Sequence, residues 1–198
     1  MSFKKIICFS FLLFSGMSLH AQNGTYEIKG PSGSYCVISF ENTANHVNAQ
    51  IFAWWNTQSG QMGFYEGTGV MKNNTCILQS TDSDPECKVV LSIVQGKLKA
   101  SFTNCITDHL SDGFNGLYSK ITPAVAGDYI VTVPKAYFYK TPNATAPLKT
   151  YVLKGDKVRL DMDRIGASKQ EWLLVYYTSK VGKETSGYLP MSELKRVQ

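Results

Sequence analysis

The chain has 198 residues, 43% hydrophobic and 12% aromatic, and its 20 basic and 15 acidic side chains give a formal charge of +5. The basic excess lies in residues 123–198, where it suits anionic envelope polymers, although its scatter along the segment is the usual sign of a solubilising surface.

The N-terminus carries Lys4-Lys5, an apolar run over residues 6–14, Ser15-Gly16, and then Leu19-His20-Ala21 ahead of Gln22. These are the basic, apolar and small-residue zones of a secretory signal peptide, with cleavage expected after Ala21. The apolar run is about half the roughly twenty residues a membrane helix needs, so no membrane span is expected. A lipid anchor would need a Cys at the cleavage point, whereas Cys8 lies inside the run. The expected location is periplasmic or secreted, where nucleic acid is not an expected partner. Loss of residues 1–21 leaves 18 basic and 15 acidic side chains, a charge of +3, and four cysteines. An even cysteine count in an oxidising compartment favours disulfides, and no C-x-x-C pair suggests a metal site. No metal or cofactor is expected.

Charge and cysteine usage divide the remainder near Thr122-Pro123. Residues 22–122 hold six lysines against eight acids, net −2, and all four cysteines, Cys36, Cys76, Cys87 and Cys105. Residues 123–198 hold twelve basic and seven acidic side chains, net +5, and no cysteine. Units of this size bury only about 60 to 65% of their unfolded surface, so disulfides add useful stability.

Residues 24–121 alternate with period two, and no ten-residue stretch places apolar side chains at helical spacing, so the unit is expected to be all-β. Strands are predicted at 25–29, 34–41, 46–55, 63–71, 76–79, 88–94, 98–103 and 116–121, separated by turn formers such as Gly30-Pro31-Ser32-Gly33, Asn73-Asn74 and Gln95-Gly96. Short strands at this spacing predict an up-and-down barrel or a sandwich. The clearest hairpin runs from Cys87 to Cys105. A three-residue loop at Gln95-Gly96-Lys97 pairs Val94 with Leu98 and sets Cys87 opposite Cys105, a spacing suited to a disulfide. Elimination then pairs Cys36 with Cys76, although four cysteines allow three connectivities.

Catalytic signatures are lacking. After export two histidines remain, His46 and His109, and two disulfides would leave no thiol for Cys-His chemistry; no G-x-S-x-G element is present. Asp82-Ser83-Asp84-Pro85-Glu86 lacks the glycine and distal glutamate of a calcium loop and reads as a solvated turn. Asp161-Met162-Asp163 reads as a polar loop. Trp54 and Trp55 are neighbours on a strand, so they point to opposite faces, and one is a candidate ligand platform. Gly60, Gly63, Gly67 and Gly69 suggest close backbone packing or an adaptable loop. The Trp54-Trp55 and Ser59-Gly60 elements distantly resemble lysozyme inhibitors, exported β-barrels, although order and spacing differ.

In the last third, Ala136-Tyr137-Phe138-Tyr139 is followed by Thr141-Pro142-Asn143, Val152 to Val158, Glu171 to Tyr177, and Ser186-Gly187-Tyr188-Leu189. Leu173, Val175 and Tyr177 share a strand face, and Val131, Val133, Val158 and Leu160 supply matching core positions. As a set the series resembles the bacterial SH3 (SH3b) domain family over roughly 70 residues. Trp172 begins its strand where that pattern also keeps a tryptophan, while Lys140-Thr141-Pro142 lacks the family's Arg-x-Gly-Pro. The resemblance implies a small binding barrel whose ligand face is lined by Tyr137, Tyr139, Trp172 and Tyr188. The chain is therefore expected to be a signal peptide (1–21), a disulfide-stapled all-β barrel or sandwich (22–122) and an SH3-like barrel (123–198). The expected function is non-catalytic binding of peptidoglycan or an envelope protein, the alternative being inhibition of a cell-wall hydrolase.

Overall fold

A computed structural model describes residues 22–80, 82, 84–167 and 171–197; the expected signal peptide lies outside them. Among these residues the chain is all-β, with short 3-10 turns and no α-helix. The first eight strands are β1 Gly24–Lys29, β2 Tyr35–Thr43, β3 His46–Trp54, β4 Met62–Val70, β5 Thr75–Leu78, β6 Lys88–Val94, β7 Lys97–Thr103 and β8 Gly116–Thr122. They form one sheet in the order β4-β3-β2-β1-β8-β7-β6-β5. Each strand lies beside its neighbour in sequence, and β1 pairs with β8. Between β4 and β5 the seam is held by isolated bridges at Thr68/Gln79 and Lys72/Thr75. The result is a nearly closed up-and-down barrel and not a sandwich.

Local chemistry explains the tight connections. Ala44-Asn45, Asn73-Asn74 and Gln95-Gly96 each place two successive residues at positive φ, the conformation that joins strands through two-residue turns without opposing their twist. Inward-facing side chains, among them Tyr26, Ile38, Phe40, Ile51, Leu91 and Tyr118, fill the interior. Strand β4 approaches its surroundings through glycines. A Cβ at Gly63 would lie 2.6 Å from the Asp108 carbonyl oxygen, and one at Gly69 would lie 2.4 Å from Cys76 Sγ. Close packing, and not loop adaptability, accounts for both.

The β6–β7 hairpin corrects the expected register. Val94 pairs with Lys97, so the loop has two residues, Gln95-Gly96, and Lys88 faces Thr103. Continued regularly, that register sets Cys87 opposite Asn104. Asn104 instead adopts φ 58° and turns the chain, bringing Cys105 to Cys87, where the disulfide forms with a Cα separation of 4.4 Å. This bond closes an 18-residue separation and in the chain-entropy model stabilises the fold by about 3 kcal/mol.

The expected Cys36–Cys76 bond is absent: both residues are buried thiols. They point into the barrel from β2 and β5 toward different partners. Cys36 makes a side-chain hydrogen bond with Tyr118 on β8, whereas the Cys76 thiol donates to the Ile77 carbonyl at 3.6 Å. Elimination failed because buried thiols are satisfied as small apolar groups and need not pair.

The remaining strands are β9 Gly127–Val131, β10 Lys135–Tyr137, β11 Tyr151–Leu153, β12 Lys157–Leu160, β13 Trp172–Thr178, β14 Glu184–Pro190 and β15 Leu194–Arg196. Five of these strands form the second sheet, in the order β14-β13-β12-β9-β15, and β10 and β11 form a separate two-stranded arm. A backbone bridge between Tyr139 and Tyr188 ties the arm to β14. Val131, Val158, Leu160, Leu173 and Val175 are buried as the alternation requires, with Val133 and Tyr177 partly buried against them.

That core does not stop at the second sheet. Val37 and Phe52 are paired across β2 and β3, face away from the barrel interior, and are buried in the second apolar cluster. Polar contacts flank them. Thr25 Oγ1 donates to the Ala124 carbonyl at 2.8 Å, and the Ala126 amide donates to Ser39 Oγ at 2.7 Å. Arg196 donates to the Asp128 carbonyl at 3.0 Å, packs its guanidinium 5.7 Å from the Tyr129 ring centre, and pairs with Glu41 at 3.4 Å.

Burial pushes the Cys36 thiol up to about 12 from an ordinary value of 9.0, with the hydrogen bond to Tyr118 acting in the opposite sense. The unfolded chain therefore releases this proton first, so the stabilisation is complete below about pH 9 and is lost as pH rises toward about 12. Urea unfolding at pH 8 and pH 10.5 should show a steep fall for the native chain and a shallower one for Cys36→Ala. Equal slopes would show that Cys36 is not buried as a thiol.

Candidate functional site

The alternation that fills the second core also builds an aromatic face. On β13, Leu173 and Val175 point inward, which turns Trp172, Leu174 and Tyr176 outward. Their partners on β14 are Pro190, Tyr188 and Ser186 respectively, so Tyr188 lies diagonally beside Trp172. Tyr137-Phe138-Tyr139 alternates likewise: Phe138 is buried and both tyrosines are half-buried. Phe138 passes beneath Gly187, where an added Cβ would lie 3.1 Å from its side chain.

Backbone hydrogen bonds of 2.9 Å in both directions hold Tyr139 against Tyr188. The Tyr139 ring meets Trp172 edge-on, with centres 5.0 Å apart and planes at 79°, the geometry that aromatic quadrupoles favour. Trp172 Nε1 donates to Asn143 Oδ1 at 2.8 Å, which fixes the indole. Asn143 reaches it from a loop residue at φ 59°, a conformation asparagine tolerates better than most residues. Of the expected site residues, the structure therefore gathers Tyr139, Trp172 and Tyr188, and sets Tyr137 on the same side of the arm.

The arm adds residues that the sequence reading missed. Tyr151 faces Tyr137 across β10 and β11, with ring centres 5.6 Å apart. Lys135 Nζ sits 3.7 Å from the Tyr151 ring centre and 5.1 Å from that of Tyr137. The Lys135 ammonium is held above the ordinary lysine range, chiefly by its hydrogen bond with Tyr137. The short apolar, β-prone run Tyr151-Val152-Leu153 ahead of Gly155 was the available signal. It becomes readable once residues 135–137 are recognised as the partner strand.

Trp54 and Trp55 do point to opposite faces. Trp55 closes one end of the barrel, with its ring 5.0 Å from Phe114 and Nε1 donating to the His109 carbonyl at 2.8 Å. Trp54 is half-buried and packs against the second core beside Phe52. His109 Nδ1 contacts the Gln61 amide at 3.0 Å. His46 lies in an open cleft of about 480 Å³ on the outer wall of the barrel, with Glu41, Asn48, Thr68 and Gln79. The Asp84 carboxylate organises its own turn, accepting from the Glu86 amide at 2.9 Å and the Thr107 hydroxyl at 3.0 Å. Among the described residues no three His, Cys, Asp or Glu side chains converge as metal ligands, and no helix is long and apolar enough to cross a membrane.

Compared with known proteins, the chain matches no family model, no curated protein and no solved structure. What the aromatic face can do follows from its own chemistry: flat, half-exposed rings on hydrogen-bonded strands stack on sugar rings, peptide planes or apolar side chains.

Asn143→Gly keeps the backbone accessible to positive φ while removing the acceptor for Trp172. The indole N–H resonance of Trp172 should shift upfield in a nitrogen-correlated spectrum while those of Trp54 and Trp55 stay in place, with a stability change of about 1 kcal/mol or less. An unmoved Trp172 resonance would contradict the contact.

Proposed function

We propose that this chain is an exported, non-catalytic binding protein whose second sheet, an SH3-like barrel of the SH3b kind, recognises a component of the cell envelope, with peptidoglycan as the leading ligand. The carrying observation is the convergence of Tyr139, Trp172 and Tyr188 on one outward face. Ordered rings lose little conformational freedom on binding, so most of their contact energy remains available for affinity. The short strands of the second sheet support the SH3-like reading, as does the 3-10 turn Met191–Glu193 leading into β15, which returns to pair with β9. The signal-like N-terminus and the Cys87–Cys105 disulfide support export into an oxidising compartment.

Sedimentation with purified sacculi tests the reading. The mature chain should pellet with them, and the Tyr139→Ala/Trp172→Ala variant should bind at least about tenfold more weakly, since each aromatic contact contributes roughly 0.5 to 1.5 kcal/mol beyond its buried area. A native chain that stays in the supernatant would overturn the cell-wall assignment.

A further inference from the structure

Residues 132–155 contain four lysines, Lys135, Lys140, Lys149 and Lys154, and no acidic side chain. All four are exposed, and among the described residues none of them forms an ion pair. Lys180, Lys183 and Lys195 likewise form no ion pair among the described residues, whereas four other basic side chains of residues 123–198 do. Lys157 pairs with Asp128, Arg159 with Asp161, Arg164 with Asp163, and Arg196 with Glu41. The acid that follows the arm in sequence, Asp156, turns its carboxylate onto the Leu153 amide at 2.8 Å. Positive charge is thus left uncompensated on the segment that carries Tyr137 and Tyr151. Lys135 is also positioned: its ammonium is held against both rings, on the outward face of the β10–β11 arm. A cation fixed in this way forfeits less side-chain entropy on meeting an anion than a lysine free in solvent.

We propose that the β10–β11 arm selects anionic ligands: an extended chain bearing carboxylate or phosphate groups lies along it, with its anionic groups against Lys135, Lys140, Lys149 and Lys154 and its flatter surfaces on Tyr137 and Tyr151. This inference rests on reading the neighbouring aromatic face as a binding surface, and it adds the charge class of the ligand.

Fluorescence anisotropy of the mature chain with labelled poly-L-glutamate and labelled polyphosphate provides the test, with neutral dextran as control. Binding should appear with at least one polyanion and not with dextran, and whichever polyanion binds identifies the anionic group. Raising the salt from 0.05 to 0.5 M should weaken it at least about tenfold, because exposed charges are screened over a few ångströms at high ionic strength. Substituting all four arm lysines by Gln should weaken it by about tenfold or more, and Lys135→Gln alone by a few-fold, since each exposed pair contributes up to about 1 kcal/mol. The exposed barrel lysines Lys72, Lys88, Lys97 and Lys99 serve as the matched control, and changing these four to Gln should leave affinity unchanged. Equal losses in the two quadruple variants, or no binding of either polyanion, would overturn the proposal. Sacculus binding that is lost in Tyr139→Ala/Trp172→Ala but unaffected by the four arm substitutions would overturn it while leaving the aromatic site intact. Polyanion binding without sacculus binding would support it and remove the peptidoglycan reading instead.

Discussion

A strand in a barrel has one face turned inward and one turned outward, and on β2 and β3 the outward face is also apolar and buried at one cross-strand pair, Val37 and Phe52. Ile38, Phe40, Ile51 and Ala53 fill the barrel, while Val37 and Phe52 leave it and enter the second core. Removing an aromatic side chain such as Phe52 from water stabilises by roughly 1.5 to 3 kcal/mol. Around this contact the polar groups are arranged to match: Ser39 accepts the Ala126 amide, and Glu41 meets the Arg196 guanidinium. The position of the second sheet follows from these contacts.

The aromatic face inherits its order from that arrangement. Tyr139, Trp172 and Tyr188 are carried on hydrogen-bonded backbone whose opposite side is closed by Phe138, Leu173, Val175 and Leu189. Movement of the backbone that carries these rings would disturb a filled core, so the rings are held in place. The lysines of the β10–β11 arm face no such constraint except at Lys135, which two tyrosines hold. The face therefore combines a rigid aromatic part with a basic margin that is more adaptable.

Much of the barrel was legible because each strand buries one face, and period-two alternation reports that directly. The predicted strands at 88–94 and 46–55 lie within a residue of β6 and β3. Where the reading failed, a local backbone choice had decided the outcome. Positive φ at Gln95 and Gly96 shortened the hairpin loop, and positive φ at Asn104 restored the Cys87–Cys105 meeting that the shorter loop would have displaced. The expected Cys36–Cys76 bond rested on a count of cysteines, and a count cannot place two side chains around a barrel. The contact between the sheets did leave a trace. Tyr35 to Ile38 and Ile51 to Trp55 are continuous apolar runs, the pattern of strands buried on both faces. For the aromatic face, the gathering of Tyr139 and Trp172 was readable from motif spacing, whereas the contacts of Tyr151 and Asn143 depended on which segment the arm folds against, which spacing alone does not encode.

The central claim is that the β2–β3 outer wall is a shared core element of both sheets. Native-state hydrogen exchange on Phe52→Ala compared with the parent chain tests it most directly. The account predicts that amides of β9, β12 and β13 lose protection together with those of β2 and β3, because Phe52 packs into the second core. Loss confined to the barrel strands, with the second sheet exchanging as in the parent, would contradict it.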